Sequence, residues 1–383
     1  MTATAVPSDL RARLAVSLVF VILGCTQGSW MARIPAIRDQ VGLDTARWGV
    51  VSSASAVGDL VALTLVTLLI GRVSTRLLCL SATGLVLLNA PVLAGASALP
   101  ALVLGLAVWV LSATFLNTPV NALAVAVERA HGSPLMSRFH ASFSCGVLAG
   151  GAIGTLAAAG GVPPGVQLAV SSTALGVLLL VLGGRLPDEE VTTERHRRSL
   201  RQRFTPQLVL LAAVAFLASF VEGAASQWSS VFTADYLDEG AALGAATYTC
   251  FTVAILVGRL VGDRFVARWG RRVFVQVSLL TVVLGAGVGL VHPGLPYALA
   301  GFTVVGLGLA CVLPAVFALA GRQPEVPPGE AVSVITIGQW PGFLLAGPVV
   351  GLLAGATSLR LALASLAVAG LGAAVLTRRI SMA

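Results

Sequence analysis

Apolar stretches of about 20 residues recur along the whole chain, separated by short polar turns. They fall at about 13–33, 47–70, 77–96, 99–127, 140–160, 165–183, 207–232, 242–262, 273–291, 296–320, 331–354 and 359–377. A bilayer core of ~30 Å takes about 20 residues in helical form, so each run predicts one crossing. Gly and Pro inside several runs fit this reading, because neighbouring helices re-satisfy the backbone groups they free. Small residues also let membrane helices approach closely. The ten-residue alternation of a transmembrane barrel is absent. The pattern predicts an all-α membrane protein with twelve transmembrane helices.

One long hydrophilic stretch breaks the rhythm, GRLPDEEVTTERHRRSLRQRFTPQ at 184–207, close to the midpoint. It divides the chain into an N-terminal six-helix half (1–183), a cytoplasmic linker (184–206) and a C-terminal six-helix half (207–383). The basic second part of the linker suits anionic lipid headgroups. Several features recur 195 residues apart: Gln27-Gly28 with Glu222-Gly223, Pro119 with Pro314, and Arg76 with Arg271. Two six-helix halves in parallel repeat form a transporter pattern.

Composition agrees with lipid as the solvent. Hydrophobic residues make up 57% of the chain and charged residues 10%, against about 25% charged in a soluble domain. The basic residues are all Arg, and their placement gives orientation. Twelve crossings put both termini on one side, together with 20 of the 24 arginines; Arg33, Arg38, Arg47 and Arg360 fall on the other. Both termini are therefore expected in the cytoplasm. Arginines wedged between apolar runs give no groove-fitting face for nucleic acid. Five cysteines lie inside apolar segments without a CxxC pair, so no disulfide frame or metal site is expected. No phosphate-binding GxxxxGK[ST] loop, metal-ligand cluster or Ser/His/Asp arrangement stands out. No cofactor and no catalytic residue is expected; energy would come from an ion or substrate gradient.

The most charged short stretch is GRLVGDRFVARWGRR at 258–272. It resembles the Gly-x-x-x-Asp-Arg-x-Gly-Arg-Arg signature that the major facilitator superfamily carries after helix 2 and often repeats after helix 8. The matching residues are Gly258, Gly262, Asp263, Arg264, Arg268, Gly270, Arg271 and Arg272. The first-half copy, GRVSTR at 71–76, keeps Arg72 and Arg76 but lacks the Asp. The resemblance implies two pseudo-symmetric halves in the major facilitator fold, a cytoplasmic latch at these residues, and close approach of helices 8 and 11 over the glycines. Simple positive-inside anchoring is the other reading of the same charges. GSWMARIP at 28–35, RFHASFSCG at 138–146 and EGAASQWSSVF at 222–232 resemble a bacterial branch near the fucose permease-type sugar–proton symporters. GFLLAGPVVG at 342–351 is similar to the Gly-Pro motif of superfamily antiporters but falls on helix 11, not helix 5. Its glycines, like those of GVLAGGAIG, are expected to serve close packing.

Polar groups in membrane helices need a partner or a wet cavity, and the resemblance implies that helices 1, 4, 7 and 10 line that cavity. Glu222 lies ~15 residues into its run, about 22 Å deep. It is a candidate proton-coupling carboxylate, with Ser226 and Ser229 continuing its stripe; a structural pair with an arginine such as Arg33 is the alternative. Asp59 and His140 are further candidate proton sites. Gln27 and Trp30 suit a ring-shaped polar substrate, although Trp30 also reads as an interfacial anchor. Arg33 is either an anion attractor or a helix-end cap. Asn117 and Asn121, at i and i+4, share a face, and Glu128 extends it. Gln227-Trp228 and Gln339-Trp340 are two more amide–indole pairs. The expected protein is a monomeric secondary transporter of the bacterial inner membrane that moves a small, sugar-like solute with protons. Proton-driven efflux and a non-transporting receptor or scaffold are the alternatives.

Overall fold

The computed structural model describes residues 10–43, 51, 56–187 and 200–380. Arg47 and the linker arginines Arg195, Arg197 and Arg198 lie outside them. The described residues are helical almost throughout. In chain order the helices are α1 (Leu10–Gln40), α2 (Ala56–Leu69), α3 (Thr75–Ala94), α4 (Leu99–His131), α5 (Met136–Ala159) and α6 (Pro164–Leu182). After the short turn Leu200–Arg203 follow α7 (Pro206–Val231), α8 (Gly240–Trp269) and α9 (Arg271–Val291). The last three are α10 (Leu295–Leu309, resuming as Val312–Ala320), α11 (Pro328–Ala356) and α12 (Leu359–Leu363, continuing as Ser365–Thr377). Among the described residues, 10 helices are long and apolar enough to cross a membrane. The α2 segment is shorter, and the 30 residues of α8 span about 45 Å at 1.5 Å each.

Two departures from the sequence reading concern helix ends. The first helix runs to Gln40 and the fourth to His131, well past their apolar cores, because hydropathy cannot see a helix that continues into water. The tenth is not continuous: it breaks at Ala310–Cys311. Pro314 supplies the cause. It has no N–H for the carbonyl four residues back, which is that of Ala310.

Contacts divide the chain into two compact units. One comprises Met1–Gly132, Phe139–Arg198 and Pro327–Ser333; the other comprises Ser133–Arg138, Ser199–Val326 and Val334–Ala383. Inside the first, α3 packs on α4, α2 on α4, α3 on α6, α1 on α6 and α1 on α4. Inside the second, the same pairs recur six helices later: α9 with α10, α8 with α10, α9 with α12, α7 with α12 and α7 with α10. The internal repeat suggested by the 195-residue spacing is therefore a repeat of packing.

Each unit buries one helix more completely than the others. In α4 every residue from Val120 to Glu128 is buried; in α10 every residue from Val312 to Ala320 is. On the outside stand bare aliphatic side chains such as Leu88, Leu180, Leu284 and Val368, each more than half exposed. Such a skin needs lipid cover. Glycines set the tightest helix pairs. A Cβ on Gly150 of α5 would overlap the Cys25 carbonyl of α1, and one on Gly342 of α11 would overlap the Phe216 carbonyl of α7. The glycines of GVLAGGAIG and GFLLAGPVVG thus serve close packing.

Candidate functional site

In the second unit, the break in α10 organises a charged site. The Ala310 carbonyl, freed by Pro314, accepts a hydrogen bond of 3.2 Å from Arg259 Nε on α8. The guanidinium continues outward, with Nη2 3.6 Å from Glu222 Oε1 on α7. The Arg259 side chain is 9% exposed and that of Glu222 24%. A buried guanidinium is tolerable only with a counter-charge and hydrogen bonds, and here the broken helix and the carboxylate supply both. Of the two side chains, Glu222 is the less enclosed.

Arg259 did not stand out in the sequence. It sits in the arginine-rich stretch and reads as one more loop charge. The signal that finds it is its position four residues before Asp263, one helical turn deeper. The partner of Glu222 is therefore Arg259, not Arg33. Arg33 is 3% exposed and donates to the carbonyls of Gly154 in α5 and Val162 in the turn that follows it.

One turn toward the end of α8, Asp263 accepts from the backbone N–H groups of Ser137 and Arg138, at 3.2 Å each. They are second- and third-position donors of α5; the Arg138 N–H is shared with the Leu135 carbonyl at 3.0 Å. Arg138 Nε stands 3.7 Å from the same carboxylate. Asp263 thus works as a capping acceptor supplied by another helix, favoured by the positive end of the α5 dipole. Beside it, a Cβ on Gly262 would overlap Cys311 Sγ, and the Cys311 thiol donates to the Gly258 carbonyl at 3.3 Å. The signature glycines therefore fit α8 against the break in α10, not against helix 11 as the resemblance implied. The remaining basic residues lie further out. Arg264, Arg268, Arg272 and Arg72 are exposed, and Arg271 and Arg76 half-buried. Arg272 donates to the Arg378 carbonyl at 2.6 Å. Gly270, at φ 75°, makes the sharp turn into α9.

The first unit holds a separate polar group on α4 and its neighbours. Asn121 Nδ2 donates to the Asn117 carbonyl at 2.8 Å, and His140 Nε2 lies 3.2 Å from Asn121 Oδ1. That oxygen only accepts, so Nε2 carries the hydrogen. Asp59, 3% exposed, accepts from the Thr114 hydroxyl. Gln27 is half-buried. Trp30 is 6% exposed, its ring 6.2 Å from that of Trp109. The structure thus joins Asn117, Asn121 and His140, and leaves Asp59 and Trp30 in their own surroundings.

The two amide–indole pairs of the second unit do not meet. Gln227 donates to the Gly223 carbonyl at 3.2 Å, and its amide and the Trp228 ring fill the space over Gly347 and Gly351 of α11. Gln339 and Trp340 follow Gly338, which abuts Ala212 near the start of α7. The two pairs are therefore about four turns apart along α7. Among the described residues, Gln339 Oε1, Trp340 Nε1, Trp228 Nε1 and Ser229 Oγ are buried without a hydrogen-bond partner. Buried polar atoms without partners are rare and costly.

Paired six-helix packings around buried intramembrane charges define a multi-pass membrane transporter. The comparisons agree. The chain matches the family model of the Major Facilitator Superfamily over residues 16–337. An uncharacterized transporter of Sinorhizobium fredii, y4wD, is 29% identical over 352 residues, covering 90% of this chain and 92% of its own. The membrane protein MosC of Rhizobium meliloti is 26% identical over 356 residues, covering 91% and 85%. Among solved structures, FucP in the outward conformation superposes with TM-score 0.83 at 14% identity, covering 98% of this chain and 100% of that one. XylE follows at TM-score 0.77 and 12% identity, with 96% and 94% covered. The chain belongs to the Major Facilitator Superfamily, a family of membrane transporters and not of enzymes.

Proposed function

We propose that this protein moves a small polar solute by alternating access, coupled to protons at Glu222. The supporting observation is the Glu222–Arg259 pair: a partly exposed carboxylate in α7, held by a buried guanidinium. A proton taken up there changes the charge balance of the second unit's interior, which is what coupling requires. FucP, whose fold is shared, is described as a fucose:proton symporter, which favours a sugar-like solute. Gln27, Asn117, Gln339 and Trp340 are the proposed solute contacts, since Gln227 and Trp228 are engaged in helix packing and Trp30 with Trp109. Asp59 and His140 are proposed as secondary proton sites. The halves 1–183 and 207–383 would move as bodies joined by 184–206. The proposed setting is the bacterial inner membrane, as a monomer with both termini cytoplasmic.

A thermal-shift screen of purified protein against sugars, organic acids and antibiotics identifies a ligand, because binding raises stability by mass action. That ligand is then followed in proteoliposomes under an imposed pH gradient. Uptake toward the alkaline side supports symport. Extrusion against the proton flow gives efflux, and saturable binding without flux gives a receptor.

A further inference from the structure

The outer arginines of the signature form a charged surface of their own in the second unit. Arg264 and Arg268 of α8 are exposed and, four residues apart, share a face. Past the Gly270 turn, Arg272 is exposed at the start of α9, and its Nη2 donates to the Arg378 carbonyl. That bond ties the start of α9 to the end of α12, where Arg378 and Arg379 are themselves exposed. The two helices pack along their length, and Gly370 of α12 meets Val282 and Val283 of α9 further in. Counter-charge is scarce here. Past Asp263 the chain holds eight arginines but only two acids, Glu325 and Glu330, and Glu330 lies against Gly71 in the first unit. Among the described residues, no carboxylate pairs with Arg264, Arg268, Arg272, Arg378 or Arg379.

Two large rings border these arginines. Phe265 and Trp269 are each 41% exposed, with ring centroids 5.1 Å apart. Exposed aromatic rings beside guanidinium groups at a helix end have the composition of a membrane–water boundary. There the rings sit at headgroup level, and guanidinium forks take phosphate oxygens in pairs. We infer that the surface built from Arg264, Arg268, Arg272, Arg378 and Arg379 is a binding site for an anionic phospholipid headgroup. This stands independently of the Glu222 reading. Immediately inward of the arginines, Val273 and Val277 of α9 and Leu371 and Val375 of α12 are each more than 40% exposed. That bare aliphatic flank gives acyl chains a surface to lie on, which a soluble phosphate would not use. Five cations spread over the ends of α8, α9 and α12 favour a headgroup with two phosphodiesters over one with a single phosphate. Basic surfaces of this kind between membrane helices suit such headgroups.

The test needs no solute. Full-length protein in an uncharged detergent is titrated separately with cardiolipin, phosphatidylglycerol, phosphatidylcholine and inorganic phosphate. Bound lipid is counted by native mass spectrometry, and the melting temperature is followed in parallel, since binding stabilises by mass action. Cardiolipin should bind most tightly and phosphatidylglycerol less so. Phosphatidylcholine and inorganic phosphate should leave the melting temperature where it was. Arg264→Gln with Arg268→Gln should weaken cardiolipin binding about 25-fold, at about fivefold for each arginine near the surface. Adding Arg379→Gln should extend the loss to about a hundredfold. The Arg272 side chain is left in place in these variants, so the bond between α9 and α12 is kept and the fold with it. Arg11→Gln with Arg13→Gln removes the same charge from the start of α1 and should leave cardiolipin binding unchanged. Unaltered cardiolipin affinity in the Arg264→Gln, Arg268→Gln variant overturns the inference. So does an equal loss in the Arg11→Gln, Arg13→Gln variant, which would reduce the effect to net charge. Stabilisation by inorganic phosphate to the same extent as by cardiolipin would show a free-phosphate site and overturns it as well.

Discussion

The two short junctions, α8 to α9 and α2 to α3, satisfy the same electrostatic need in opposite ways. At the first, the signature is intact and its acid travels on the helix before the turn: Asp263, 5% exposed, reaches across to the amides of α5. At the second, GRVSTR has no acid. There the carboxylate belongs to the receiving helix. Glu330 sits in the first turn of α11, is 1% exposed, and lies against Gly71, whose added Cβ would come 2.9 Å from Glu330 Oε1. Both arrangements put a negative charge at a helix N-terminus, where the macrodipole favours it. They differ in what can let go. An acid carried by another helix releases the N-terminus when it moves, whereas an acid built into the first turn never leaves it. The degenerate first-half motif is a motif with its charge moved to the partner.

This contrast can be broken at several points. The largest effect is expected at Gly262. Gly262→Val drives side-chain atoms into Cys311 at the α10 break and should cost several kcal/mol, as overpacked cores do, seen as poor yield and a collapsed melting temperature in detergent. Next is Asp263→Asn, which should lower stability by about 1.5–3 kcal/mol through its two backbone hydrogen bonds. Glu330→Gln should cost less, about 0.3–1 kcal/mol for its share of the helix dipole, because its side chain stays on the helix whose first turn it serves. If Glu330→Gln proves as damaging as Asp263→Asn, the proposed difference between the junctions is wrong. The smallest effect is expected for Gly71→Ala, at about 1 kcal/mol or less. Its φ of 80° is unfavourable for a side chain, but the atom in the way is the end of a flexible carboxylate.

Most of the fold was legible from the run of apolar residues, because lipid leaves no alternative to buried backbone hydrogen bonding. The repeat was legible too, through Pro119 and Pro314 and the Gln27–Glu222 correspondence. The site was only half legible. Glu222 announced itself as a lone carboxylate in an apolar helix. Arg259 did not, since the sequence offers no way to separate an arginine one turn inside the membrane from those at its edge. Pro314 was visible, but its consequence, a free Ala310 carbonyl that anchors Arg259, depends on which helix packs against the break. Glu330 was hidden for the same reason: a first-turn acid looks like ordinary helix-start chemistry until Gly71 is found beside it. Gln227 and Trp228 show the converse, an attractive amide–indole pair that the fold spends on packing.

The central claim is that Glu222 carries the coupled proton. The most direct measurement is solute-driven proton movement in proteoliposomes containing Glu222→Gln, alongside solute counterflow. Counterflow should persist while proton movement is abolished. Proton movement equal to that of the unaltered protein would contradict the account.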